Sequence, residues 1–142
     1  MKRYERICKM LAVLPVVLLS GCTAAVIGVG EQAYNHVRGD LLGIVAEPLE
    51  QVYSASVEAL KQLDGYEISK QEINIIEGNV TAYDPTARKV VIDLSKTEHD
   101  QTRIQIRIGL FGDKLESTYL YDRIQESLKK SRQSKVMVRG IP

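Results

Sequence analysis

Two histidines, His36 and His99, and two cysteines, Cys8 and Cys22, are the scarcest reactive side chains in this sequence. A zinc site takes three or four Cys, His or carboxylate ligands, and these are too few and too scattered to supply one. Glu98-His99-Asp100 is the one local cluster of ligand types, and it falls in a polar stretch (KTEHDQ) that reads as a solvated loop. No metal site is therefore expected. Nucleophilic hydrolysis needs a hydroxyl, a base and an orienting carboxylate. Serines are plentiful, but no GxSxG elbow occurs, and neither histidine lies in a recognisable motif. Such triads assemble in space rather than in sequence, so a hydrolase stays as a remote alternative and no catalytic residue is assigned. Asp93 and Asp100 offer paired carboxylates, yet Asp93 alternates on a strand opposite arginines, the pattern of a cross-strand ion pair.

Cys22 has a more definite chemistry. Residues 1–9 (MKRYERICK) are net positive and residues 10–19 (MLAVLPVVLL) are wholly apolar, the layout of a secretory signal. The apolar run ends in Leu19-Ser20-Gly21-Cys22, which resembles the lipobox of bacterial lipoproteins. The resemblance implies cleavage between Gly21 and Cys22, with diacylglycerol on the thiol and an N-acyl chain on the new terminus, palmitate being the usual acyl group. Met10 to Gly30 carries no charge and is long enough to span a membrane if uncleaved. Against that stand Pro15 and the Gly- and Ser-containing stretch after Leu19. Either way the positive N-terminus stays inside and the rest is exported. Thr23, in place of Asp, points by the same resemblance to the outer membrane, facing the periplasm, of a Gram-negative host.

The composition, 142 residues with 44% hydrophobic and 26% charged, suits one globular domain. Lys2, Arg3, Arg6 and Lys9 against Glu5 give the leader +3, so its removal takes the formal +1 to −2. That balance excludes a nucleic-acid partner, which requires phosphate neutralisation. It also leaves membrane attachment to the acyl chains. With Cys8 discarded and Cys22 acylated, the folded part has no disulfide and needs no other cofactor.

The elements that position the remaining side chains follow from periodicity. Residues 22–40 read as the lipidated cysteine and a tether; Gly28-Val29-Gly30 lacks the third glycine and the βαβ context of a dinucleotide loop. Leu49, Val52, Tyr53, Val57, Leu60 and Leu63 predict a helix over 47–63, closed by Asp64-Gly65. Strands are predicted over 66–71, 75–83, 88–95 and 102–110, with Asp84-Pro85-Thr86-Ala87 a turn. Asp113, with Glu116 as capping-box partner, starts a helix over 114–130. Residues 131–142 read as a frayed basic tail. The expected domain spans 41–130 and is α+β: helix, three- or four-stranded antiparallel sheet, helix, with both helices on one sheet face.

That arrangement leaves the other face open. Tyr83, Asp93, Arg103, Gln105 and Arg107 are the candidate interaction residues there, Arg and Tyr being frequent anchors of protein interfaces. The leading expectation is a non-enzymatic envelope lipoprotein acting in protein interaction or scaffolding. A small-ligand or glycan-binding module on the arginine-bearing face is the alternative.

The order of features is similar to a family of short bacterial lipoproteins catalogued as a domain of unknown function. The matching residues are the lipobox, Tyr34 to Gly39 (YNHVRG), Val52-Tyr53 and Ala59-Leu60 on the first helix, Ile106-Arg107-Ile108-Gly109, Phe111-Gly112-Asp113, and Ser117. They cover roughly residues 20–128. The resemblance implies an extracytoplasmic α+β module and supplies no activity.

Overall fold

The computed structural model describes residues 34–140. The expected signal peptide, Gly21, Cys22 and the first part of the tether lie outside the described residues. The elements are β1 (Tyr34–Val37), β2 (Asp40–Val45), α1 (Leu49–Gln62), β3 (Glu67–Ile73), β4 (Glu77–Tyr83), β5 (Lys89–Lys96), β6 (Thr102–Ile108) and α2 (Lys114–Arg139). All strands join one antiparallel sheet in the order β1-β2-β6-β5-β4-β3. Because β2 pairs with β6 while β3 is the far edge, α1 must cross a whole sheet face between them. α2 returns beside it, and the two helices pack on each other.

The domain is α+β, as expected, but its sheet has six strands rather than three or four. The two additions lie partly in the segment read as a tether. β1 is only four residues long, and β2 (DLLGIV) hides its alternation. Gly43 occupies a position facing the helices, while Leu42 and Ile44 on the opposite side are apolar. The period-2 signal that marks β5 and β6 is therefore missing.

The core lies between the sheet and the helices. Val80, Val90, Ile92, Ile104 and Ile106 from the strands meet Val52 and Leu60 of α1 and Leu120 and Ile124 of α2, all fully buried. Each contributes about 1.5–3 kcal/mol by leaving water. Ala55, Ser56 and Ala59 put small side chains on the buried face of α1. The Ser56 hydroxyl satisfies itself on the Val52 carbonyl at 2.7 Å.

Asp113 caps α2 as expected, accepting from the backbone N–H of Leu115 and Glu116, each at 3.1 Å. Glu116 does not complete the capping box; its carboxylate accepts from the Tyr66 hydroxyl at 3.4 Å. The expected frayed tail is instead helix: α2 continues to Arg139, since neither Gly nor Pro interrupts it before Gly140. Its terminal lysines and arginines suit the negative end of the helix dipole.

Two turns lock together at one end of the sheet. Gly39, between β1 and β2, has φ +90°, and Gly112, before α2, has φ +74°. A methyl group on either would collide with the backbone of the other's turn, so the glycines serve a close backbone approach as well as their own conformation. This contact fixes β1–β2 against the start of α2.

Candidate functional site

Register places the open-face residues in transverse rows. Asp40, Arg107, Val91 and Thr81 form one; Leu42, Gln105, Asp93 and Asn79 the next; Ile44, Arg103, Ser95 and Glu77 the third. Both described helices lie on the opposite face, where every fully buried strand side chain among the described residues points.

The first row is a closed structural unit. Arg107 donates from Nε to one Asp40 oxygen at 2.7 Å and from Nη2 to the other at 2.5 Å, and Gln105 adds a bond at 2.9 Å. The Asp40 side chain is 6% exposed and that of Arg107 52%. The hydrogen bond from Arg107 holds the Asp40 carboxyl below its ordinary range, against burial, which pushes the other way. Arg107 is thus spent on holding β2 to β6. Asp40 is the residue that sequence reasoning missed; its signal was a lone acid directly after a turn glycine in an otherwise apolar run.

The other rows form a groove of about 520 Å³, lined by Glu72, Glu77, Asn79, Asp93, Arg103 and Gln105 among others. Asp93 accepts from the Asn79 amide at 2.6 Å, and Glu72 pairs with Lys70 at 2.9 Å. Three carboxylates against one arginine make the groove acidic, whereas the sequence suggested an arginine-rich face. Arg103 makes no ion pair among the described residues. It also borders a more apolar depression with Leu42, Gly43 and Ile44. Of the five candidates, Asp93, Arg103 and Gln105 meet in the groove. Arg107 stands one row away, and Tyr83, beside Lys89, lies at the far end of β4.

A second polar cluster joins the β4–β5 turn to α2. Asp84 accepts from Thr86 and from Arg88 Nε at 2.7 Å, while Arg88 Nη1 reaches Asp113 at 3.0 Å. Burial pushes the Asp84 carboxyl up, but the hydrogen bonds from Thr86 and Arg88 outweigh it and leave it lowered. The Glu116 N–H and then Arg88 lower Asp113. Desolvation, with Glu116 and Asp84 nearby, raises the Tyr66 hydroxyl to about 12.

The histidines separate. His36, on β1, has Nε2 3.3 Å from the Thr118 hydroxyl, which itself bonds the Lys114 carbonyl at 2.8 Å. Its Nδ1 is buried without a partner among the described residues, so none of their carboxylates orients the ring as a general base requires. In the loop after β5, Asp100 pairs with Lys96 at 2.9 Å. Among the described residues no three His, Cys, Asp or Glu side chains gather at metal-binding spacing. No helix among them is long and apolar enough to cross a membrane.

The family described as "Protein of unknown function (DUF3568)" matches residues 6–127. The chain belongs to this family. No curated protein matches it. The DUF3568 match takes in the Leu19–Cys22 motif, both interlocking glycine turns and the whole open face, and it stops before the last turns of α2.

Proposed function

We propose that this protein is a lipid-anchored lipoprotein of the bacterial cell envelope that acts by binding another envelope protein across the open face of its sheet. The observation that carries the reading is Arg103. It is an exposed arginine without an ionic partner among the described residues, standing between an apolar strip (Leu42, Ile44) and an acidic groove (Glu72, Glu77, Asp93). Interface anchors combine in this way: an arginine for a partner carboxylate, apolar contact beside it, and opposite charge for steering. The complementary surface is a protein segment carrying an acid for Arg103 and basic side chains for the groove.

A small polar ligand in the 520 Å³ groove is the second reading, favoured by the convergent Asn79, Asp93 and Gln105. It lacks an aromatic wall, because Tyr83 stands away from the groove. Arg103→Glu decides between them. The substitution is expected to abolish co-purification of a protein partner with the membrane-extracted lipoprotein while leaving the melting temperature unchanged. Undiminished recovery would refute the interface. Cys22→Ala tests the anchor: loss of acyl labelling and accumulation of the precursor are expected, and normal maturation would refute lipidation.

A further inference from the structure

The last three turns of α2 bury no side chain among the described residues. Every residue from Lys129 to Gly140 is exposed, and Leu128 is the helix's last buried side chain. This stretch holds Lys129, Lys130, Arg132, Lys135 and Arg139, with no acidic residue after Glu126. It also exposes three consecutive apolar side chains, Val136, Met137 and Val138, at 72%, 76% and 74%. Among the described residues, Arg132 alone of these basic side chains makes an ion pair, with Glu47 at 2.5 Å. Glu47 follows the end of β2, so the seven residues beyond it project roughly 10 Å past that end of the sheet.

That end is also where the chain joins the domain. β1 runs antiparallel to β2, and its first residue, Tyr34, pairs with Gly43 near the end of β2. The eleven residues 23–33 separate Tyr34 from Cys22, a reach of at most about 40 Å. On this side Glu47 is paired with Arg132 and Asp100 with Lys96, while Glu77 and Glu98 are exposed with no ion pair among the described residues. The β3–β4 turn adds exposed Ile75 and Ile76 at the same end.

We propose that the C-terminal segment of α2, from Lys129 to Arg139, docks on an anionic phospholipid surface and sets the orientation of the lipid-anchored domain. The inference rests on the anchored-lipoprotein reading for its geometry. Lysine and arginine ammonium and guanidinium groups meet lipid phosphates, while Met137 and Val138, adjacent on one side of the helix with Lys130 and Lys135 beside them, enter the interface beneath them. The mature charge of about −2 conceals this segment, because the acids lie elsewhere in the domain.

The chain contains no tryptophan, so Met137→Trp places a single reporter on the segment. The full mature protein is reconstituted into vesicles of phosphatidylcholine carrying brominated acyl chains, with or without phosphatidylglycerol. Strong quenching is expected only with phosphatidylglycerol, relieved by high salt and by Lys135→Glu with Arg139→Glu. Each charge removed is expected to weaken docking on the order of fivefold. Equal emission in both vesicle types, or quenching unaffected by the charge reversals, would overturn the proposal. The intact mass of the same sample reports acylation separately. Acylation without quenching refutes the docking helix and keeps the anchor. Anionic-lipid-dependent quenching without acylation keeps the helix and refutes the anchor.

Discussion

Arg107 grips Asp40 through both carboxylate oxygens, and this pair joins β2 to β6 on the open face. Arg103, four residues earlier on the same strand and face, has no such acid. The two arginines are indistinguishable in the alternating sequence, yet one is paired and the other has no ionic partner among the described residues.

Asp40→Asn tests the structural half. Asparagine keeps the shape but loses the charge that two guanidinium bonds require, so a loss of about 2 kcal/mol is expected by urea denaturation. The effect on partner recovery should be far smaller than that of Arg103→Glu. A neutral substitution would mean that the pair adds nothing beyond its exposed half.

Acid stability follows from the same group. Asp40, Asp84 and Asp113 all have folded-state values below the ordinary 3.8. Their contributions are therefore complete above that value and lost as pH falls through the lower folded values. The melting temperature should be flat from about pH 5 to neutrality and drop below about pH 4, with a shallower acid limb in Asp40→Asn. Tyr66 acts in the opposite direction: raised from 10.0 to about 12, it contributes stability below pH 10 that is lost as pH rises through 12. A Tyr66→Phe variant with an unchanged alkaline limb would contradict that assignment.

The glycine contact can be separated from glycine conformation. Gly112→Ala meets both a positive φ and the Gly39 backbone, whereas Gly109→Ala, at φ +71°, has only the Arg88 Cδ atom nearby at 3.8 Å. The second should cost about 1 kcal/mol and the first about 2–4 kcal/mol. Equal losses in thermal denaturation would show that the turns do not support one another.

Much of this fold was legible because α1, β5 and β6 bury one face and solvate the other, so periodicity in Leu60, Ile92 or Ile106 reports the core directly. β2 was not legible because Gly43 faces the helices while Leu42 and Ile44 face outward, which cancels the alternation. The end of α2 escaped for a different reason: no buried side chain follows Leu128, so nothing periodic marks its final turns. In the candidate site, Asp93, Arg103 and Gln105 could be placed on one face from β5 and β6 alone. Which arginine was free could not, because the deciding acid, Asp40, comes from a strand distant in sequence.

The proposed binding role of the open face is tested most directly by site-specific photo-crosslinking in intact cells. A photoreactive side chain replaces Ser95 or Ile44 on the open face, or Glu58 or Asp122 on the exposed backs of the helices, so that Arg103 is kept. The expected result is one discrete protein adduct from positions 95 and 44, and none from 58 and 122. Adducts confined to the helix positions, or equal from both faces, would contradict a partner bound across the sheet.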